Sequence, residues 1–314
     1  MVNNLKLVVL IPAYNEEKNV KDVILSIPRK ISGIDKVEVL VVNDGSNDRT
    51  EDMALNGGAD KIVSHKTNMG VGAAFMTGIR NAISMNADVV VTLDADSQFD
   101  SKQIPELVIP ILNKQAEVVV GSRFLEDMDM NIPKIKSVGN KIFSKIVSWA
   151  VGQRFSDTQS GFRAYSKEAL LDISIVNDFT YTQEVLIDLK FKGIKIIEIP
   201  VNVKYDPKRK SRVVKNIFSY SSRAISIIIR TLAYHRPIFA FGLLGVVLIG
   251  GGLLAKIFTI TTILWVSAGL STGLIILGIV AFMMGILASV LFKRQAFTER
   301  DLRHYISELS KDRE

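Results

Sequence analysis

The chain has 314 residues, of which 48% are hydrophobic and none is cysteine. Disulfides and thiolate metal sites are therefore excluded, and because the three histidines lie far apart in sequence, a metal would bind oxygen ligands. The net charge is +7, but the basic residues crowd at 204–236 and 293–313 on either side of an apolar segment, which indicates a membrane surface and no nucleic acid.

The first two hundred residues alternate apolar, β-rich runs with helical patterns. Strands are predicted at 5–11, 37–43, 61–66 and 87–93, and helices at 19–31 and 71–86. This order predicts an α/β domain with a mostly parallel sheet, in which ligands bind beyond the carboxyl ends of the strands. Polar, often acidic residues follow three of these strands: PAYNEE at 12–17, NDGSNDRT at 43–50 and DADSQ at 94–98.

Two aspartates stand at the end of the strand predicted at 87–93. In an extended chain, residues i and i+2 point to the same side, so Asp94 and Asp96 project together and repel each other. A divalent cation such as Mg²⁺ or Mn²⁺ would relieve this repulsion, and Gln98 adds a neutral oxygen. The alternative is a polar loop in which an aspartate caps the next helix.

A glycine pair, Gly70 and Gly72, stands at the start of the helix predicted at 71–86. The third glycine of the dinucleotide-binding fingerprint is absent, and the unit is not the first strand-helix turn, which argues against a dehydrogenase. The pair either allows the backbone to approach a nucleotide or diphosphate closely or marks the helix N-cap.

Further polar residues follow beyond residue 117. The strand predicted at 118–124 carries Arg123 near its end, and the segment 156–166 is predicted as a polar loop with Asp157, Ser160 and Arg163. Edge strands are predicted at 193–205, and a basic loop follows. At 213–235 the apolar residues recur at helical spacing, which predicts an amphipathic helix at a membrane interface or a core helix.

Residues 237–292 contain one charge, Lys256, and suit two membrane-spanning helices, with a buried soluble hairpin as the alternative. Basic residues on both flanks place those flanks in the cytoplasm, and the N-terminal apolar run is too short for a signal peptide. We predict a multi-pass cell-membrane protein with a cytosolic domain at 1–212, an amphipathic helix at 213–236, a hairpin at 237–292 and a cytoplasmic basic tail at 293–314. Its many glycines would permit close helix packing and a homo-oligomer.

The motifs PAYNEE, VVNDGSNDRT, TLDADSQ, VVVGSRF and DTQSGFRAYS, in this order and spacing, resemble the family 2 glycosyltransferases of GT-A fold. Within that family the chain is similar to the polyprenyl-phosphate (dolichyl-phosphate) hexose synthases. The resemblance implies a Rossmann-like GT-A domain followed by a membrane hairpin. It also implies an inverting, metal-dependent enzyme that moves a hexose from a nucleotide-diphosphate sugar to a polyprenyl or dolichyl phosphate at the cytoplasmic membrane face.

The resemblance further implies a role for individual residues. The nucleotide sugar would be bound by Pro12, Tyr14, Glu16, Asp44, Gly70, Asp94, Ala95 and Asp96. Mg²⁺ or Mn²⁺ would be bound by Asp94, Asp96 and Gln98. The acceptor phosphate would be bound by Arg123, Ser160, Arg163, Arg209, Lys210 and Arg212. Asp157 would act as a base or as an orienter of Arg163, or it would only cap its loop. Glu184 either binds sugar hydroxyls or faces solvent on a helix, and the second is expected.

Three alternatives compete with this prediction. A processive polysaccharide synthase would need a Q-x-x-R-W motif, which the chain lacks. Transfer to a lipid hydroxyl would make Asp157 an indispensable base. A non-catalytic membrane scaffold has no use for a paired-carboxylate metal site. Among donors, the hairpin of two spans favours a UDP-sugar over GDP-mannose.

Overall fold

The computed structural model describes residues 4–125, 134–173, 181–204, 226, 230, 236–262 and 266–311. The chain divides into two units, Met1–Ile228 and Ile229–Glu314. Arg209, Lys210 and Arg212 lie outside the described residues, as does nearly all of the amphipathic helix predicted at 213–236.

A seven-stranded sheet forms the centre of the first unit. Its strands are β1 (Lys6–Ala13), β2 (Lys36–Asn43), β3 (Lys61–Ser64), β4 (Val89–Thr92), β5 (Val118–Ser122), β6 (Arg163–Ser166) and β7 (Ile196–Pro200). They are arranged in the order β3-β2-β1-β4-β6-β5-β7. All neighbours pair in parallel except β6, which is antiparallel to both β4 and β5. The prediction of a mostly parallel sheet is confirmed, but the predicted polar loop at 156–166 ends at Arg163, where β6 begins.

Seven helices of the first unit are described. They are α1 (Val20–Ser26), α2 (Thr50–Asn56), α3 (Val71–Ser84), α4 (Ile104–Leu112), α5 (Lys134–Val151), α6 (Lys167–Asp172) and α7 (Thr182–Phe191). The central strands are apolar along their whole length because both faces of the sheet are covered. Glu184 is buried on α7, so the expectation that it faces solvent was wrong.

Strand direction brings the polar segments to one edge of the sheet. β1, β2 and β4 run in parallel, with Ala13 opposite Asn43 and Leu10 opposite Thr92. Because β6 runs the other way, its first residue, Arg163, pairs with Thr92 and with Val120. The loop before β6 therefore meets the loops that follow β1, β2, β4 and β5.

The second unit contains α8 (Pro237–Thr262) and α9 (Val266–Lys311). Both carry stretches long and apolar enough to cross a membrane, Pro237–Ile257 and Gly269–Leu291, by length and composition. Their backbones approach closely at two glycines, since a Cβ on Gly245 would lie 2.7 Å from the carbonyl oxygen of Gly278. Close packing at these glycines agrees with the prediction. α9 continues to Lys311, so the predicted tail is helical through that residue.

Candidate active site

Two loops at the carboxyl ends of β1 and β2 hold each other in place. The Asn15 amide donates to Ser46 Oγ (2.9 Å), and the Asn47 amide donates to Asn15 Oδ1 (2.8 Å). Pro12, near the end of β1, and Tyr14, at the start of the first loop, are half-buried, and Glu16 is buried. These loops border an open cavity of about 360 Å³ lined by Asn15, Glu17, Lys18, Asn47 and Asp48.

Asp44 is buried and its carboxylate is engaged by the protein. Its Oδ1 lies 2.7 Å from His65 Nδ1 and accepts from the Met69 amide (2.9 Å), while its Oδ2 accepts from the Gly70 amide (2.9 Å). The placement of Asp44 near the nucleotide stays a prediction. Asp44 shapes the loop before α3, where Gly70 adopts a φ of 97°, a backbone conformation that favours glycine.

Asp94 and Asp96 lie in the loop just after β4 and are half-buried, whereas Ala95 between them is buried. Burial, followed by the negative charge of Asp96, raises the pKa of Asp94 to about 7. The charge of Glu16 acts in the same direction, while those of Arg123 and Arg163 oppose it. These groups are thus close enough to interact electrostatically. Polar residues from the loops next to β1, β4 and β5 and from the start of β6 therefore lie around the carboxylate of Asp94.

The donor set fits a hard divalent cation. Within the described ranges, no three acidic or histidine side chains come together as a metal cage. Mg²⁺ commonly binds through one or two carboxylates and completes its shell with substrate phosphates and water. Asp94 and Asp96 supply two such carboxylates, and the half-buried Gln98 follows in the same loop. A bound cation would also compensate the like charge of Asp96, which together with burial raises the pKa of Asp94.

Asp157 forms an ion pair with Arg123 across the loop before β6. Its carboxylate accepts from Arg123 Nε at 2.6 Å and from Nη2 at 3.0 Å, a bidentate contact. The backbone amides of Arg123, Gln159 and Ser160 also donate to it. Despite complete burial, the charge and hydrogen bonds of Arg123 hold the pKa of Asp157 below its usual value of 3.8. Asp157 therefore orients Arg123, and not Arg163 as predicted.

Arg163 is fully buried, and its guanidinium donates hydrogen bonds to two backbone carbonyls. Its Nη1 donates to the Thr182 carbonyl (2.7 Å) and its Nη2 to the Thr158 carbonyl (3.0 Å). Ser160 is also fully buried, and its hydroxyl accepts from the Phe162 amide. Neither side chain is accessible in the described part of the chain, and contact of Arg163 and Ser160 with the acceptor phosphate stays a prediction. The part-exposed Arg123 is accessible.

The loop before β6 lies directly against the aspartate pair. A Cβ on Gly161 would be 2.8 Å from Asp94 Oδ1, so only glycine fits there without displacement. The Thr92 hydroxyl donates to the Gly161 carbonyl at 2.6 Å and ties the two segments together. The loop before β6 therefore contacts both sides of the site, Arg123 through Asp157 and Asp94 through Gly161.

The profile of Glycosyl transferase family 2 matches residues 8–174, a span that includes the aspartate pair and Arg123. The chain belongs to glycosyl transferase family 2. This confirms the resemblance seen in the motifs.

Several relatives within this family are named for lipid-phosphate acceptors. The UDP-N-acetylglucosamine–dolichyl-phosphate N-acetylglucosaminyltransferase of Methanococcus voltae is 33% identical over 62% of this chain and 84% of its own. The dolichyl-phosphate hexose transferase of Haloferax volcanii is 31% identical, over 62% and 81%. The undecaprenyl-phosphate mannosyltransferase of Micrococcus luteus is 28% identical, over 63% and 83%.

Among solved structures, the chain is similar to glucosyl-3-phosphoglycerate synthase from Mycobacterium tuberculosis in complex with UDP. The TM-score is 0.59 at 22% identity, covering 73% of this family 2 chain and 80% of the synthase. A second structure of that protein, with a TM-score of 0.57, contains Mn²⁺, UDP and glucosyl-3-phosphoglycerate. At this identity the likeness supports the fold, and the predicted GT-A architecture is confirmed.

His65 is a residue that the motifs did not single out. It follows β3, and while Nδ1 contacts Asp44, its Nε2 lies 2.9 Å from the hydroxyl of Thr77 on α3. The two ring nitrogens of His65 thus connect Asp44 with Thr77 on α3. Its place at the carboxyl end of a parallel strand was the available signal.

We expect His65→Ala to weaken nucleotide-sugar binding about tenfold, because Asp44 loses a donor and no longer holds the loop at Gly70 firmly. The matched variant His65→Asn keeps an N–H near the position of Nδ1 and should retain most of the affinity. Titration of each variant with the donor in the presence of Mn²⁺ measures the effect. Equal losses in both variants would contradict this role.

Proposed function

We propose that this family 2 chain transfers a hexose from a nucleotide-diphosphate sugar to a polyprenyl or dolichyl phosphate. The observation that carries the proposal is the pairing of two features at one sheet edge. The carboxylates of Asp94 and Asp96 suit a metal-bound diphosphate, and the accessible guanidinium of Arg123 interacts with the same Asp94. A site of this kind can hold two phosphate-containing substrates near each other.

Arg123 positions the acceptor in this proposal. A planar guanidinium binds phosphate oxygens in pairs, and Asp157 fixes its orientation through Nε and Nη2. A lipid phosphate is already an anion at neutral pH, so its oxygen can attack the sugar without loss of a proton. Asp157, whose pKa is lowered, serves as an orienter and not as a base. A single displacement of this kind inverts the anomeric configuration.

Asp94, Asp96 and Gln98 would bind the metal ion, Mg²⁺ or Mn²⁺, on the donor side. When bound, the ion supplies charge neutralisation for the departing nucleotide diphosphate. The two carboxylates and Ala95 would also position the diphosphate, and Gly70 at the start of α3 would be a further contact of the donor. A UDP-sugar donor is favoured, since the Methanococcus relative is named for UDP-N-acetylglucosamine and the similar solved structure contains UDP.

The outer face of α5 supports an acceptor that resides in a membrane. Val138, Ile142 and Trp149 are all more than half exposed on this face, beside the exposed Lys141 and Lys145. Apolar and aromatic side chains flanked by lysines are typical of a helix that lies on an anionic bilayer. The opposite face of α5 is bonded to the loop before β6, through Asn140 to the Ser156 carbonyl. Together with α8 and α9, this favours a membrane enzyme with its first unit and both termini in the cytoplasm.

The test is transfer of labelled sugar by the full chain in lipid bilayers. UDP-glucose, UDP-N-acetylglucosamine and GDP-mannose are supplied separately with a polyprenyl phosphate, with Mg²⁺, with Mn²⁺ or with a chelator. We expect a lipid-extractable, acid-labile product from one UDP-sugar that disappears with the chelator. Glycosylation of a neutral lipid without any lipid-phosphate product would contradict the proposal and favour the hydroxyl acceptor.

A further inference from the structure

We propose that Glu198 is a positioning residue for the acceptor phosphate and acts through Asp157 and Arg123. The inference rests on the proposed function, because it concerns the acceptor side of that site. Glu198 lies on β7, the strand at the edge of the sheet, in a segment where the sequence predicted only edge strands.

The carboxylate of Glu198 holds the turn that carries Asp157. It accepts from the Ser156 amide at 2.8 Å and from the Asp157 amide at 2.9 Å. Two successive backbone amides thus converge on one side chain from a neighbouring element. Burial, the largest effect, raises the pKa of Glu198, whereas these amides oppose the rise. The two hydrogen bonds satisfy this half-buried acid and fasten the turn to β7.

The same turn is tied to both sides of Arg123. Ser156 Oγ lies 2.6 Å from Ser122 Oγ, and the Ser122 hydroxyl accepts from the Phe124 amide. The next residue, Asp157, grips the Arg123 guanidinium and its backbone amide. Glu198 therefore sets the position of Ser156 and Asp157, and these two residues set the position of Arg123 from both ends.

The bidentate contact makes this arrangement sensitive to small displacements. Asp157 reaches Arg123 through two hydrogen bonds of fixed direction, so a shift of the turn rotates or releases the guanidinium. Misplacement of a substrate-positioning group by about 1 Å can cost a reaction about 10²-fold. The hydrogen bonds that Glu198 accepts come from the Ser156 and Asp157 amides, whereas Asp94 and Asp96 lie in the loop that follows β4. We therefore expect a loss of Glu198 to affect the acceptor side more than the donor side.

The experiment compares Glu198→Gln with Glu117→Gln in the full chain. Glu117 is a matched control, since its carboxylate also accepts a backbone amide beside β7, that of Lys195 at 2.9 Å. It precedes β5, at the end of the sheet away from Arg123. Glu198→Asp keeps the charge on a shorter side chain and provides a second variant if the glutamine variant folds poorly. The measurements are KM for polyprenyl phosphate, donor affinity without acceptor, and hydrogen–deuterium exchange of the segment 156–160.

We expect Glu198→Gln to raise the acceptor KM about tenfold, with faster exchange at 156–160 and donor affinity unchanged within about twofold. Glu198→Asp should lie between this variant and the wild type, and Glu117→Gln should match the wild type. An unchanged acceptor KM, or an equal loss of donor and acceptor affinity, would overturn the inference. Failure of the proposed function shows itself separately, as absence of lipid-phosphate product in the wild type. In that event the exchange data still test whether Glu198 stabilises the turn. Faster hydrogen–deuterium exchange at 156–160 in Glu198→Gln would support this role, and unchanged exchange would contradict it.

Discussion

Asp96→Asn should lower sugar transfer by about 10³-fold, the loss typical when a group that stabilises developing charge is removed. Asp96 follows β4 with Asp94, and after burial its negative charge is the next largest cause of the raised pKa of Asp94. Replacing it by an amide removes one of the two carboxylates that would bind the metal on the diphosphate. Initial rates of transfer, measured across a range of Mn²⁺ concentrations, test this result.

Asp100→Asn provides the control for this substitution. Asp100 lies in the same segment, but its side chain caps the short 3-10 helix Ser101–Gln103 by accepting from the Lys102 amide. Asparagine is also a good cap, so this variant should keep its activity within about twofold. A similar loss in both variants would show that the loop, and not the metal-binding carboxylate, is responsible.

Asp157→Asn should have the second large effect, on both stability and acceptor binding. Removing one partner of a buried ion pair typically costs about 3 kcal/mol or more, because the other charge is left without compensation. Asp157 is fully buried, and the side chain of Arg123 is 22% exposed. We expect a rise of about 10²-fold in the acceptor KM, with a smaller change in kcat and little change in donor affinity.

The pH dependence of stability follows from the lowered pKa of Asp157. A carboxyl group whose pKa is lower in the folded than in the unfolded state stabilises the protein at every pH above its unfolded-state pKa. This contribution to the unfolding free energy is lost as the pH falls through the folded-state pKa. The difference in unfolding free energy between wild type and Asp157→Asn should therefore be constant near neutral pH and narrow below the usual value of 3.8. Denaturant unfolding across this range measures it.

A different pattern would identify Asp157 as a general base. In that case kcat would fall without a change in the acceptor KM, and the wild-type rate would decline along an acidic limb that the variant lacks. Transfer to a neutral lipid hydroxyl, which does require loss of a proton, would then become the better description of the reaction.

Local sequence pattern by itself determined much of the molecule. The apolar runs at 37–43 and 87–93 predicted β2 and β4, because a strand that is buried on both faces needs an uninterrupted run of apolar residues, and such a run is visible in the sequence. The spacing predicted that Asp94 and Asp96 act together, and their charges do interact, although β4 ends at Thr92 and both aspartates lie in the loop beyond it and not on an extended strand. The carboxyl-end rule for parallel strands predicted that this loop lies at the same edge of the sheet as those after β1 and β2. The length and composition of 237–292 were sufficient for the two apolar helices.

Only the tertiary structure decided which polar residues are accessible and what they contact. Residues 163–166 have little strand character of their own, but they pair with β4 and β5, and that pairing buries Arg163. The partners of Asp157 and Asp44 are likewise distant in sequence: Arg123 is 34 residues away and His65 is 21. Local periodicity does not encode these contacts, because they depend on which strands become neighbours and on which charges are then enclosed together.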